Sequence, residues 1–257
     1  MKKNVFFSIS VMTAFIISSG CKKVCDYIDP GAGLCQIQKV IFPDPTPGFN
    51  DTLTYSYNLV GDPVSIIRKQ PGTGAPNFFF MYDKQNRLTD IIGTYSSTFS
   101  SNAALESWNR YIYDNNGRVV KDSLYFFPTA VNGHPELGEY GNLVMMYYEY
   151  DAKGRVSKYT EDLGGGNILV ENYSYNQAGN RTDREYDSKV NFFRTNKIWQ
   201  FINRDYSTNN PLPATLTYNS VGLPTKITTT GKNYGLLLGL SQDGISYMNI
   251  EIEYSCK

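Results

Sequence analysis

The sequence has few of the residues from which most catalytic and metal sites are built. It contains one histidine, His134, and its four cysteines form no Cys-x-x-Cys pair. Zinc sites need several histidine or cysteine ligands at short spacings, so we predict no metal and no cofactor. A histidine without a companion base is typical of a solvated loop residue rather than of a catalytic one.

The chain also has no net charge. Its 24 basic and 24 acidic side chains cancel, and charged residues make up only 19% of the sequence. Proteins that bind nucleic acids or anionic membrane surfaces through charge carry a strongly basic domain or patch. We therefore predict no nucleic-acid partner.

Long hydrophobic runs are missing except near the N-terminus. Lysines at positions 2 and 3 precede an apolar run, residues 5–17, and the small residues 18–20 lead to Cys21. This run is shorter than the roughly 20 residues that span a bilayer. A basic start, a short apolar core and small residues at a cleavage point are typical of a signal peptide. We predict that residues 1–20 are a signal peptide and that the chain is exported.

The residues around the cleavage point, Ser18-Ser19-Gly20-Cys21, resemble a bacterial lipobox. The resemblance implies cleavage before Cys21 and lipidation of that residue, with residues 21–34 as the lipidated tether. Several acyl chains on one cysteine would anchor the protein in the membrane, since each buried CH₂ contributes about 0.8 kcal/mol. The alternative is ordinary signal-peptidase cleavage, which would leave a soluble protein.

Aromatic residues are abundant, with 21 tyrosines and 14 phenylalanines. They occur with Thr and Ser in short runs separated by Gly, Asn and Pro, a pattern typical of strands and turns. With 41% hydrophobic residues, the chain can form one core of ordinary size. We predict an all-β fold with a single domain, residues 35–257.

One short pattern, Tyr-Asp-x-x-Gly-Arg-Val, recurs along the chain. It stands at residues 150–156, with close copies at 113–119 and 82–88. Asp hydrogen-bonds the backbone two residues on, and Gly accepts a positive φ, so the pattern predicts a hairpin with a three-residue loop. Asn replaces Gly in one copy and also tolerates a positive φ. The predicted register pairs each Tyr with the aliphatic residue that follows Arg. The predicted turn-motif residues are Tyr82, Asp83, Asn86, Arg87, Tyr113, Asp114, Gly117, Arg118, Tyr150, Asp151, Gly154 and Arg155.

Weaker copies begin at Tyr57, Tyr175 and Tyr218, and the intervals between copies are unequal. Unequal intervals indicate a constant hairpin with variable return loops rather than a strict solenoid. The longest interval, between Tyr175 and Tyr218, predicts one more degenerate hairpin around Ile198–Tyr206.

The repeated pattern resembles the YD repeat of Rhs and teneurin-type proteins, in which successive hairpins form a large β shell. The whole chain is more similar to small Bacteroidetes-type lipoproteins that carry these repeats on a porin-like β fold. This resemblance implies an antiparallel meander of hairpins, and an outer-membrane lipoprotein on the periplasmic or cell-surface side. The strands lack an uninterrupted lipid-facing apolar band. We therefore expect a water-soluble sheet that is strongly curled or closed like a barrel, which would also remove exposed edges.

Cysteines stand at both ends of the predicted β domain. Cys35 precedes the first candidate strand and Cys256 ends the last one. An exported protein meets an oxidising compartment, so a Cys35–Cys256 disulfide would join the two ends of the sheet. Cys25 remains the alternative partner of Cys256.

The tryptophans are the residues best suited to bind a ligand. Trp108 and Trp199 could stack on a sugar or a peptide, but they could also fill the core, which is the role that we favour. The repeat Asp residues already have turn-forming roles, so we predict a non-enzymatic, lipid-anchored envelope module that binds a glycan or an envelope protein, or serves as a scaffold. The alternative is a polysaccharide-acting hydrolase with two carboxylates roughly 5–9.5 Å apart in a groove.

Overall fold

The computed structural model describes residues 35–42, 51–100, 103–212, 214–229 and 248–256. The predicted signal peptide, the lipidation site Cys21, the tether and Cys25 lie outside these ranges. Most of the described residues are in antiparallel strands joined by tight turns. No helix within the described ranges is long and apolar enough to cross a membrane.

Ten strands follow one another in the first two thirds of the chain. Each pairs in antiparallel fashion with its predecessor, so they form a meander. Their bounds are β1 Cys35–Phe42, β2 Asp51–Tyr57, β3 Pro63–Arg68, β4 Asn77–Tyr82, β5 Leu88–Thr94, β6 Leu105–Tyr113, β7 Val119–Val131, β8 His134–Tyr150, β9 Val156–Asp162 and β10 Ile168–Asn172.

Beyond β10, the described residues form five strands, a 3₁₀ turn and one short helix. Three of these strands join the meander beside β1, and the other two form a separate small ladder. Their bounds are β11 Tyr186–Val190, the 3₁₀ turn Phe192–Thr195, α1 Lys197–Ile202, β12 Asn209–Pro211, β13 Ala214–Tyr218, β14 Pro224–Thr229 and β15 Met248–Cys256.

Within the described ranges, the main sheet has 13 strands in the order β10-β9-β8-β7-β6-β5-β4-β3-β2-β1-β15-β14-β13. The prediction of an all-β antiparallel meander is confirmed. In the described part of the chain the hydrogen-bonded order ends at β10 and at β13, so these strands form an open sheet. The pairing of the described strands therefore does not show the closed, barrel-like alternative.

A disulfide joins the neighbouring strands β1 and β15 of the main sheet. Cys35 at the start of β1 faces Cys256 at the end of β15, and their sulfur atoms are bonded. The Cys35 side chain is buried in the core. The covalent bond and the β1–β15 ladder thus fasten the same two strands.

The main core lies on one face of the sheet, which we call the inner face. Side chains from most strands point into it, and the segment 173–212 supplies the layer that covers them. The buried hydrophobic side chains of this layer are Tyr173, Phe192, Phe193, Ile198 and Trp199.

The helix α1 stands where the sequence predicted a degenerate hairpin, and that prediction is wrong. The side chain of Asn196 caps the helix by accepting a hydrogen bond from Ile198 N. The neighbours Ile198 and Trp199 are both buried in the same core. In a strand, adjacent side chains point to opposite faces, whereas a helix can bury both on one side. The requirement for two adjacent core residues therefore favours a helix here.

A second, smaller cluster lies on the opposite, outer face. It contains Ile92, Leu105 and Trp108. The hairpin that joins β7 to β8 is irregular between Phe126 and Pro128 and folds back over this cluster. Its residue Ala130 packs against the cluster, although a straight ladder would carry it about 17 Å beyond Tyr125, the strand neighbour of Trp108. We call residues 127–142 the arm.

We expect the double variant Cys35→Ser/Cys256→Ser to lose roughly 3–5 kcal/mol of unfolding free energy, because the disulfide closes a very long loop in the unfolded chain. The two cysteines are 221 residues apart in sequence. Guanidinium unfolding followed by tryptophan fluorescence would measure the loss. Cys25→Ser is the control and should leave the midpoint unchanged. A double variant as stable as the wild type would contradict the assigned role of this bond.

Candidate functional site

Each close copy of the repeat forms the same hydrogen-bonded turn. In the copy at Asp151, the Gly154 amide donates to the Asp151 carbonyl over 3.0 Å, and Gly154 has a φ of +76°. One carboxylate oxygen, Oδ1, accepts the backbone amides of Lys153 and Arg155 at 2.8 and 3.0 Å. The other, Oδ2, accepts Nε and Nη2 of Arg155 at 2.8 and 2.6 Å. One carboxylate thus closes the turn and fixes the arginine.

The other two close copies repeat this geometry. Asp114 and Asp83 accept the corresponding backbone amides and arginine side chains. Asn86 adopts a φ of +57° in place of the glycine. The strand pairing is the predicted one in all three copies: Tyr150 with Val156, Tyr113 with Val119 and Tyr82 with Leu88.

The repeat tyrosines tie consecutive hairpins together. The hydroxyl of Tyr150 donates to the Val119 carbonyl over 2.6 Å, and that of Tyr113 donates to the Leu88 carbonyl over 2.8 Å. In both cases the acceptor follows the arginine of the preceding hairpin. Equivalent bonds extend the series to both sides. We call the donors the tyrosine row: Tyr57, Tyr82, Tyr113, Tyr150, Tyr175 and Tyr254.

The repeat arginines make a second connection between hairpins. Each guanidinium binds the aspartate of its own turn and also lies over the tyrosine ring of the next copy. The distances from the guanidinium carbon to the ring centroid are 4.9 Å for Arg87 over Tyr113, 5.0 Å for Arg118 over Tyr150 and 3.8 Å for Arg155 over Tyr175. Sequence reasoning did not find this contact, because the intervals from arginine to the next tyrosine are unequal.

The electrostatics of the turns oppose proton transfer. The backbone amide of Arg118, followed by its guanidinium, holds the pKa of Asp114 below its usual value, and Arg87 acts in the same way on Asp83. Burial raises the pKa of Tyr113 to about 12. The carboxylates are held ionised and the phenol neutral, so the turn residues are poor general acids and bases near neutral pH.

A buried carboxyl group on the inner face is the titratable group that sequence reasoning missed. Asp122 in β7 is only 2% exposed. Asn109 Nδ2 donates to its Oδ2 over 2.9 Å, while Oδ1 has no hydrogen-bond partner among the described residues. Burial raises the pKa of Asp122 to about 7, and Asn109 partly opposes this. The segment that buries Asp122 is remote in sequence, so no local signal distinguished this residue.

Arg204 is the cation of this region. Its guanidinium carbon lies 3.9 Å from the centroid of the Tyr159 ring, and it acts electrostatically on Tyr148 and Asp122. The Arg204 backbone has a φ of +50°, an uncommon value for a residue with a side chain. The hydroxyl of Tyr159 donates to Glu161 over 2.9 Å.

Neither tryptophan offers a ring to solvent. Trp199 is 1% exposed and lies edge-on to Tyr55 and Phe80, with ring centroids 5.8 and 5.7 Å away. Trp108 is 3% exposed beneath the arm, and its Nε1 donates to Asp90 over 2.7 Å. The two tryptophans therefore do not form the ligand-stacking surface that was considered for them, because both rings are buried in the core.

His134 lies at the exposed tip of the arm. Its Nδ1 contacts the guanidinium of Arg110 on β6, which also lies 3.3 Å from the Asp90 carboxylate. No group of three or more His, Cys, Asp or Glu side chains that could hold a metal occurs among the described residues. Within this part of the chain, the histidine serves to dock the arm on the outer face.

Comparisons with known proteins give weak structural similarities. No family model and no curated protein matches the chain. A crystal structure of a porin-like protein from Bacteroides uniformis is similar with a TM-score of 0.46 and 10% identity, over 85% of this chain and 96% of that one. The crystal structures of TcdB2-TccC3-TEV and TcdB2-TccC3 both give a TM-score of 0.31, with 16% and 14% identity. Each is matched over 72% of this chain, which spans only 9% of the length of those chains.

We expect Tyr113→Phe to lose about 1–2 kcal/mol of unfolding free energy, because the Leu88 carbonyl loses its donor while the ring stays in place. Urea unfolding would measure the difference. The control is Tyr147→Phe, an exposed tyrosine outside the tyrosine row, which should change stability by less than about 0.5 kcal/mol. Equal losses in the two variants would contradict a special role for the row.

We also expect the buried Asp122 to make stability fall as pH rises from about 4 to about 7. The carboxyl holds its proton more tightly in the folded chain than in the unfolded chain, so raising the pH through this window favours unfolding. The loss should be on the order of 4 kcal/mol, at about 1.4 kcal/mol per pKa unit.

Urea unfolding at pH 4.5 and 7.5 would measure this dependence. Asp122→Asn removes the titration and should flatten the profile. Ser123→Ala, at the adjacent residue on the opposite face, keeps the carboxyl group and should keep the slope. A wild-type profile that rises over this window would overturn the assignment.

Proposed function

We propose that the chain is a non-enzymatic, lipid-anchored module of the bacterial cell envelope that serves as a β scaffold for a glycan or an envelope protein. The observation that carries the proposal is the engagement of the repeat side chains. Each aspartate accepts from its own arginine, and the arginine in turn lies over the next tyrosine. Side chains that resemble a catalytic set in sequence are therefore used to hold the hairpins together.

The proposed location is the outer membrane, to which lipid on Cys21 would attach the chain. It rests on the basic start, the short apolar run and the lipobox-like residues before Cys21. A cysteine that carries several acyl chains needs no membrane-spanning segment for stable attachment. The domain would then lie beside the membrane, on the periplasmic or the cell-surface side.

We infer that the sheet curls around α1. Tyr55 of β2 contacts Trp199 with ring centroids 5.8 Å apart, and Tyr148 of β8 contacts Phe201 with ring centroids 5.1 Å apart. Trp199 and Phe201 are two residues apart in one short helix. In a flat sheet β2 and β8 would be about 29 Å apart, which is too far for one short helix to contact both strands. A curled sheet leaves the outer face, the arm and the strand edges as the surface for partners.

The exposed aromatic residues of the arm suit such a partner. Tyr140 is 86% exposed and Phe127 is 45% exposed, whereas both tryptophans are buried. Aromatic side chains bury a large area on binding, and tyrosine adds a polar tip that suits glycan and protein surfaces. The arm thus offers the exposed aromatic surface that sequence reasoning considered, but did not favour, for the tryptophans.

The second candidate function is a polysaccharide-acting hydrolase, and Asp122 is the observation that favours it. Its pKa of about 7 suits a general acid. Its side chain is only 2% exposed, however, so a polymer would not reach it without movement of the covering segment. Glycoside hydrolysis also needs a second carboxylate, and the turn carboxylates are already bound to their own arginines. The geometry thus favours the scaffold.

The lipid anchor can be tested on the full chain expressed in a bacterium. The mature protein should fractionate with membranes, and the mass of its N-terminal peptide should show acylated Cys21. Cys21→Ser should abolish acylation and release the chain from the membrane fraction. Cys25→Ser, four residues away, is the matched control and should leave both unchanged. A mature wild-type protein that is soluble and begins at another residue would contradict the proposal.

A further inference from the structure

Among the strands that the structure describes, β10 is an edge of the main sheet. Within the described residues it pairs with β9 on one side only. Ile168, Leu169 and Val170 are 62%, 48% and 46% exposed. Edge strands usually carry lysine, proline or a bulge that prevents further pairing, and β10 has none of these. The opposite edge, β13, presents Thr215 and Thr217 as its exposed side chains instead.

The phase of the hydrogen bonds shows which backbone groups of β10 are open. Tyr173 N donates to Ser157 O over 2.7 Å, and Leu163 N donates to Asn167 O over 3.0 Å. Odd-numbered residues of this ladder therefore bond to β9. In an antiparallel pair the intervening residues direct N–H and C=O to the other side. The outward-facing residues are Ile168, Val170 and Asn172.

We propose that β10 is the site at which a second copy of this chain adds, through antiparallel β10–β10 pairing about a two-fold axis at Leu169. In this register Ile168 lies opposite Val170 of the second copy, and both residues of the pair are outward-facing. Leu169 lies opposite Leu169 of the second copy. Glu171 lies opposite Asn167, whose side-chain amide can donate to the carboxylate. All three exposed aliphatic residues then meet aliphatic residues, as a two-fold interface requires.

The alternative two-fold registers are less complementary. A shift of the axis to Val170 would place Leu169 against the Glu171 carboxylate and Ile168 against Asn172. A shift to Ile168 would place Val170 against Gly166, which offers no side chain. If the pairing slipped by one residue, the outward-facing backbone groups of one copy would lie opposite residues of the other copy whose backbone groups already bond to β9. The sequence of β10 thus selects one register. The proposal does not depend on the lipid anchor.

Disulfide trapping in the full chain tests the register directly. In a Cys21→Ser/Cys25→Ser background, Leu169→Cys places two thiols on a non-hydrogen-bonded pair, where Cα atoms are about 4.5 Å apart and a disulfide can form. Val170→Cys is the matched control, because its two copies are offset along the strands. Mild oxidation should give a covalent dimer of the Leu169→Cys variant and little of the Val170→Cys variant. No dimer of the Leu169→Cys variant, or equal yields from the two variants, would overturn the proposal.

Sedimentation velocity provides the second test. The wild type should show a rising dimer fraction as its concentration increases, because a short strand pair buries less area than a standard stable interface. Val170→Lys should keep the chain monomeric, since each lysine would place a charge against Ile168 of the second copy, and a lysine on an edge strand opposes further pairing. Leu59→Lys alters a fully exposed apolar residue of the β2–β3 turn and should associate like the wild type. A wild type that stays monomeric, or a Val170→Lys variant that still dimerises, would contradict the β10 site.

Discussion

The bond from a repeat tyrosine to the carbonyl of the preceding hairpin is the interaction on which the fold depends. A single hairpin is marginally stable in water and needs neighbours. Each tyrosine hydroxyl reaches one hairpin back, and each arginine lies over one tyrosine ahead. Every repeat is therefore held by its neighbours at the same end of the sheet. This arrangement tolerates return loops of any length, because they leave the opposite ends of the strands.

The parts of the fold that were predictable are those that local chemistry determines. Aspartate and glycine specify the turn at Asp151 and Gly154 within a few residues, and the turn sets the strand register. The helix α1 was not predictable in this way, since Trp199 and Ile198 become core residues only when the segment 173–212 packs on the sheet. The position of the tryptophans, and hence their unsuitability for stacking, depends on the same packing and on the arm.

The site was less predictable than the fold. The raised pKa of Asp122 results from burial that exists only in the folded chain, and Asn109 and the distant Arg204 oppose it only in part. The contact of each arginine with the next tyrosine has no constant sequence spacing, so it emerges only from the register. In sequence, the exposed aliphatic residues of β10 cannot be distinguished from those of a buried strand. Their exposure follows from the point at which the chain leaves the sheet for the inner layer.

Residue-resolved amide hydrogen exchange tests the central claim most directly. The amides of Gly117 and Gly154 donate within the turns, at 3.1 and 3.0 Å. If the tyrosine row binds the hairpins into one cooperative unit, these amides and those of Arg118 and Arg155 should be protected to the same degree as the adjacent strands. Turn amides that exchange at the rate of an unfolded chain, while the strands stay protected, would contradict the account.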